Sequence, residues 1–345
     1  MVIALFPPLD LKEELDSLTI PVHYLGLRSI FDWRRGLWRL TRLFRRHPPD
    51  IVHTHLLYAN FYGRLAAILA RVPAIVTTLH SVEYSHWSYD RLRFKIRKII
   101  DMAIGRLFNN GFIAVSRAVR DDYIRHCGFK NIVVIHNYLD PGTVQSLPSE
   151  SIAAVRREFG CGEDAFVLLH VGRLAWEKGQ RTLLLAMPEI LKAVPRARLV
   201  IVGDGPEEES LGAMARSLGL KDVVIFAGRR RDLPPLLGMS DVFLFPSISE
   251  GLGIALLEAM AAGLPVVASR VEGIIEVVQH ESNGFLVPPD DPSALAAAVI
   301  RLSADPDLRR TLGRGARYTV EQQFSVATGL ANLEAFYESV VKRRP

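Results

Sequence analysis

Cysteine is nearly absent: Cys127 and Cys161 are the only two in 345 residues, and they stand far apart. That spacing offers neither a disulfide framework nor a zinc-type ligand cluster, and it fits reduced thiols in a cytoplasmic protein. An excess of one charge is lacking as well. Forty-two Lys and Arg against 37 Asp and Glu leave +5, little ground for nucleic acid as a partner, and no recognition motif accompanies the arginines. Long hydrophobic runs are missing. The opening MVIALF stops at Pro7-Pro8, too soon for a signal peptide. The greasiest segment, SEGLGIALLEAMAAGLPVV, is interrupted by Glu258, Gly263 and Pro265, so no bilayer span is expected. A full dinucleotide fingerprint is absent too. VIVGDGPEEESL has Gly203 and Gly205, but Glu208 stands where the third glycine belongs, which disfavours an NAD-dependent dehydrogenase.

What is present is a rhythm. Apolar runs rich in Val, Ile and Leu recur at 2–6, 21–25, 51–55, 74–80, 112–116 and 132–137. They return at 167–172, 198–203, 223–228, 242–245, 265–269 and 284–287. Most lack polar alternation, as strands buried on both faces of a parallel sheet require, and helical patterns separate them. A Pro- and Ser-rich break over 140–164 divides two similar sets. The reading is α/β, two doubly wound domains joined by a hinge, with ligands beyond the carboxyl ends of the strands.

Two carboxylates in the greasy segment need a reason. Residues 241–269 resolve into strand, loop, a helix expected over 252–262, a Gly263 cap and a second strand. Glu250 would then sit at the helix mouth and Glu258 two turns in, about 12 Å along the axis. They cannot grip one metal ion, but they can reach opposite ends of an extended ligand. Between them, Gly251, Leu252 and Gly253 would present open helix amides to a diphosphate. Glu258 would accept from a ribose and Glu250 from a group beyond the phosphates, which fits a sugar nucleotide. The plainer reading is a dipole-favoured acid and a solvated one. Arg173 and Lys178, in VGRLAWEKGQ after the run at 167–172, would supply positive charge to a diphosphate leaving group.

In order and spacing, VGRLAWEKG, VGDGPEEESL, FAGRRRDLPPLLGMSDVFLFPSISEGLGIALLEAMAAGLPVVAS and EGIIEVVQHESNGFLVPPDD resemble the carboxyl-terminal half of retaining glycosyltransferases of family 4. DIVHTHLLYAN, AIVTTLHS, FIAVSRAVRDDYI and VIHNYLD have counterparts in the amino-terminal half. The resemblance implies the GT-B fold, two Rossmann-like domains facing across a cleft. Its domains would be an acceptor-side domain over 1–145, a nucleotide-sugar domain over 146–322, and a helix over 323–345 packing back on the first. It implies a nucleoside-diphosphate sugar as donor, with no cofactor and no metal. Arg173 and Lys178 would bind the diphosphate, Glu258 the ribose, Glu250 the transferred sugar, and His80 would face that sugar from the other domain. Gly203, Gly251, Leu252 and Gly253 would line the nucleotide. Transfer would retain configuration, with the donor phosphate as base and no protein nucleophile. Residues 1–6 match the family's second strand, so its first strand and glycine-rich loop are expected to be lacking, and Asn137-Tyr138 replaces the usual Asn-Gly. That departure leaves an alternative open, a nucleotide-binding relative without transfer.

Three weaker signals remain. His53 and His55 share one strand face and are expected to be satisfied polar groups rather than ligands. Asp305-Pro306-Asp307 has the form of a metal-binding D-x-D but reads as a helix start. DWRRGLWRLTRLFRRH carries Trp33, Leu37, Leu40 and Phe44 on one helical stripe among arginines, with a second basic stretch at 91–98. The stripe is expected to pack on its own sheet. The basic face keeps an anionic membrane surface as a partner in view. The expected activity is transfer to a hydroxyl of a glycan or lipid-linked acceptor, by a cytoplasmic protein peripheral to the inner face of the cell membrane.

Overall fold

Each of the twelve apolar runs overlaps a strand, and every strand pairing among the described residues is parallel. The computed structural model describes residues 1–6, 12–27, 32–82, 92–144 and 148–342. They divide into two units. One comprises Met1–Val115, Val119–Ile135 and Leu333–Pro345; the other comprises Ser116–Ala118 and His136–Asn332.

The first unit opens with β1 (Val2–Ala4), α1 (Lys12–Ser17), β2 (Val22–Tyr24), α2 (Trp33–Arg46) and β3 (Ile51–His55). It continues with α3 (Leu57–Ala70), β4 (Ala74–Leu79), α4 (Leu92–Phe108), β5 (Gly111–Ala114), α5 (Arg117–Cys127) and β6 (Ile132–Val134). Strands β3 to β6 pair in chain order, while β1 and β2 form a separate two-stranded sheet. Among the described residues no strand joins β1 to β3. All six residues of β4 are buried, as a central strand covered on both faces demands. Leu40 and Phe44 of α2 and Tyr62, Ala66 and Ala67 of α3 close over Val52 and Ile75. The expected apolar stripe of α2 holds for Leu37, Leu40 and Phe44. Trp33 does not join it: at the first turn it stays 48% exposed. The basic stretch at 91–98 has its side chains outside the described residues.

The second unit begins with α6 (Ser149–Glu158), β7 (Phe166–Val171), α7 (Gln180–Ala193), β8 (Ala197–Val202), α8 (Glu208–Ser217) and β9 (Val224–Gly228). Then come α9 (Leu233–Gly238), β10 (Val242–Phe245), α10 (Ile254–Ala261), β11 (Val266–Ser269), β12 (Phe285–Val287), α11 (Pro292–Ala304) and α12 (Pro306–Gln323). Its sheet runs β12-β11-β10-β7-β8-β9. The chain thus builds outward from β7, returns, and lays β10 against the other edge of β7. That reversal makes a switch point at the carboxyl ends of β7 and β10, where ligands of open α/β sheets bind. Leu183, Leu184 and Met187 of α7 and Leu295, Val299 and Leu302 of α11 share one core with Phe166, Leu199 and Leu244. Helix α12 starts where the D-x-D stands: the Asp305 carboxylate caps it by accepting from Leu308 N at 2.9 Å.

The last helix, α13 (Val326–Lys342), begins in the second unit and ends in the first. Phe336 and Val340 are 6% and 3% exposed. The Phe336 ring lies 2.8 Å from the point where a side chain on Gly111 would begin, so β5 needs glycine there.

Close packing also governs α12. A Cβ on Gly313 would lie 2.1 Å from the Gly263 carbonyl oxygen, whereas one on Gly212 of α8 meets only the Arg216 head at 3.6 Å. Gly313→Ala is therefore expected to lose about 1–3 kcal/mol by forcing α12 away. Gly212→Ala is expected to gain about 0.5–1 kcal/mol from its helix-interior position. Urea midpoints of the two variants check both signs.

Candidate functional site

The switch point of the second unit is assembled from backbone contacts that only glycine permits. Gly203, at φ +135°, presents its α-carbon to the Gly172 carbonyl, 2.0 Å from where a Cβ would stand. Gly179, at φ +68°, does the same to the Pro246 carbonyl at 2.1 Å. The loops after β7, β8 and β10 are thereby drawn against one another. A short 3-10 turn, Trp176–Lys178, follows β7, and its Glu177 carbonyl accepts from Ile248 N at 2.8 Å. Beneath it, the buried Gln180 amide donates to the Arg173 carbonyl at 2.8 Å and to His170 Nε2 at 3.1 Å. His170 Nδ1 in turn bonds the Leu244 carbonyl at 2.9 Å. Burial holds this histidine's pKa down at about 4, so it works as a neutral strut. Nothing in the spacing of the sequence marked His170 or Gln180; only the sheet order reveals them as neighbours.

Upon this floor Lys178 Nζ meets Glu250 Oε2 at 2.8 Å, with side-chain exposures of 23% and 9%. The two residues, 72 positions apart, form a partly buried ion pair. Arg173 is exposed, and its guanidinium makes no ion pair among the described residues. Glu258 is half-buried, and burial raises its pKa above the usual carboxylate range.

The helix between the glutamates differs from expectation. It begins at Ile254 rather than Leu252, with Gly253 extended at φ −74°, ψ 120°. Asn137 Nδ2 donates to the Leu252 carbonyl at 2.8 Å, which takes that oxygen out of helical bonding. The glycines at 251 and 253 weaken helix formation further. The open amides are therefore those of Ile254, Ala255 and Leu256, ahead of the first intrahelical bond from Leu257 N to Gly253 O. Gly251, Leu252 and Gly253 are loop, and the 12 Å helical rise assumed for the glutamate pair does not apply. Gly251 is fixed in its own way: its carbonyl lies 2.2 Å from where a Cβ on Gly273 would be.

His80 belongs to the first unit, just beyond β4. There it forms a cluster with His53 and His55 of β3. His53 bonds Tyr337 OH through Nδ1 at 2.6 Å and Thr78 Oγ1 through Nε2 at 2.7 Å. His55 Nδ1 lies 3.1 Å from His80 Nε2. Burial, then the neighbouring His55 and His80, hold His53 down at about 3; burial, then His55, holds His80 at about 4. Among the described residues no group of three or more His, Cys, Asp or Glu is arranged to hold a metal ion.

These features meet a known pattern. Residues 151–319 match the family described as Glycosyl transferases group 1, and residues 1–142 match Glycosyltransferase Family 4. Lipopolysaccharide core biosynthesis glycosyltransferase LpsD of Rhizobium meliloti is 32% identical over 308 residues, covering 89% of this chain and 80% of that protein. The chain belongs to glycosyltransferase family 4. A further relative is UDP-Gal:alpha-D-GlcNAc-diphosphoundecaprenol alpha-1,3-galactosyltransferase of Escherichia coli. It is 27% identical to this glycosyltransferase over 345 residues, covering 96% of the chain and 86% of that protein. The crystal structure of Anabaena Alr3699/HepE in complex with UDP and glucose superposes with a TM-score of 0.86 at 26% identity, covering 98% and 91% of the two chains. The glycosyltransferase thus shares the GT-B fold of its structural neighbours.

The ion pair yields a stability signature. Lys178→Met strands the Glu250 carboxylate and is expected to cost about 1–2 kcal/mol, less than for a fully buried pair because solvent reaches the lysine. Adding Glu250→Gln should restore most of it. Chemical denaturation of the two single variants and the double variant measures the coupling.

Proposed function

We propose that this glycosyltransferase moves a sugar, with retention of configuration, from a nucleoside-diphosphate sugar to a hydroxyl of a glycan or lipid-linked acceptor. The observation that carries the reading is the Lys178–Glu250 pair at the switch point, beside the exposed Arg173 and the amide end of α10. A diphosphate entering there would take its counter-charge from Lys178, Arg173 and the helix terminus, stabilising the leaving group as the bond to sugar breaks. Once Lys178 turns to phosphate, Glu250 is left to accept from sugar hydroxyls, and Glu258, farther along α10, from the ribose. His80 would face the transferred sugar. The reading requires no protein nucleophile, because the donor phosphate takes the proton of the attacking hydroxyl on the same face. The HepE complexes with UDP and glucose support the donor class. The Escherichia coli relative, named for a diphosphoundecaprenol substrate, supports a lipid-linked acceptor.

Thermal stabilisation by UDP, GDP and ADP tests the donor site. At a hundred times its dissociation constant, one nucleotide should add about 2.7 kcal/mol to the parent protein and little to Glu258→Ala. Stabilisation by none of the three, or equal stabilisation of parent and variant, refutes the site.

A membrane surface as second partner is supported by α2. Trp38 is 59% exposed on the face opposite the buried Leu40 and Phe44, with Arg42 over its ring at 5.2 Å. Trp33 carries Arg34 in the same way at 6.0 Å. No helix among the described residues is long and apolar enough to cross a bilayer. We therefore read the protein as cytoplasmic and peripheral on the inner face of the membrane, its indole rings at headgroup level and its arginines on anionic lipid. Sedimentation with vesicles containing phosphatidylglycerol should exceed that with pure phosphatidylcholine. Trp38→Ala with Arg42→Ala should weaken it, the arginine alone by about 1 kcal/mol. Equal binding to both vesicle types rejects the membrane surface.

A further inference from the structure

Strands β3 and β4 run parallel in a register that sets His53 beside Val76 and His55 beside Thr78. Each β3 histidine then reaches the β4-side residue two places beyond its partner. His53 reaches Thr78 and His55 reaches His80, one diagonal used twice on a shared face. The first of these pairs is fully committed. Tyr337 and Thr78 occupy both nitrogens of His53, so its ring cannot turn. The His55 ring lies against it, centroid to centroid at 4.2 Å.

The second pair is committed on one side only. His55 Nδ1 and His80 Nε2 face each other, and the opposite nitrogens, His55 Nε2 and His80 Nδ1, make no hydrogen bond to a described residue. Both rings line a cavity of about 500 Å³, with Thr78, Ser81, Tyr58 and Tyr123 among the other walls. The described lining contains no carboxylate, lysine or arginine.

A neutral imidazole has one donor and one acceptor nitrogen, so a bond from Nδ1 of one ring to Nε2 of the other requires the same tautomer on both. Whichever proton His55 Nδ1 lacks or carries decides whether His80 turns a donor or an acceptor toward the cavity. We infer that His55 is a positioning residue for His80, fixing the ring pose and the tautomer that His80 offers to a ligand. The inference rests on the reading that His80 faces the donor sugar. A chain runs from Tyr337 through His53, by ring packing to His55, and by hydrogen bond to His80. Burial keeps His53 and His80 neutral at pH 7, as the tautomer match requires.

Nitrogen NMR of the histidine rings in the ligand-free, full-length protein at pH 7 tests this without any substrate. In the parent, His55 and His80 should each show one tautomer, and the same one, both Nδ1–H or both Nε2–H. In His55→Phe, which keeps a ring but no nitrogen, His80 should relax to a mixture. UDP-glucose hydrolysis gives the functional arm. His55→Phe should lower kcat about tenfold, ~1.4 kcal/mol, with KM changed by less than about twofold. His55→Asn, whose amide stands near the Nδ1 position, should recover most of the loss. In a His80→Ala background, His55→Phe should change nothing further. An unaltered His80 tautomer in His55→Phe, or the same loss in the His80→Ala background, overturns the inference. Full hydrolysis by His80→Ala alone would instead sink the donor-facing reading, and the NMR result would still decide whether His55 sets the His80 ring.

Discussion

The candidate donor site depends on contact between main chains. Where the loops after β7, β8 and β10 converge, carbonyl oxygens occupy the space that side chains at Gly179 and Gly203 would need. With that spacing, the Glu177 carbonyl can take the Ile248 amide, and the bond between them carries Lys178 to Glu250. The Gln180–His170 strut holds the same loops from below. A single extra methyl at either glycine would separate the loops and, with them, the opposite charges. The chemistry of the site is thus a consequence of what the backbone is allowed to approach.

The two units handle polarity differently. In the second unit, opposite charges lie partly buried and compensate each other, and they stand at a switch point where an anion could exchange for the carboxylate. In the first, three imidazoles are gathered, two of them on a cavity whose described lining has no carboxylate, and desolvation keeps His53 and His80 strongly inclined to neutrality. A charged cluster there would have no counter-ion, so hydrogen bonds between neutral rings are the stable solution.

Much of this was legible in the sequence because parallel sheets demand continuous apolar runs. The run at 242–245 coincides with β10 and that at 51–55 with β3. Ends were less legible. The run at 132–137 stops at Val134, and the helix after Glu250 starts two residues late because Asn137, more than a hundred positions away, takes the Leu252 carbonyl. Local propensity cannot contain such a partner. The angular position of Trp33 puts it on the buried stripe, but the first turn of α2 leaves it 48% exposed. In the sequence Lys178 and Glu250 stand 72 positions apart in separate motifs; the sheet order, with β10 beside β7, is what brings them together. His170 and Gln180 carry no motif, since a buried strut needs only two polar atoms in the right places.

Helix α13 gives the molecule a direction in time. The first unit holds β1 to β6 but receives Phe336, Tyr337 and Val340 only some two hundred residues later in the chain. During synthesis, which proceeds from the amino terminus at about 5–20 residues per second, the second unit acquires all its strands while β5 still lacks the Phe336 ring and His53 its tyrosine. The unit translated first is therefore the one completed last. A ribosome stalled before Phe336 would hold the complete six-stranded sheet of the second unit attached to a histidine cluster that has not yet been locked.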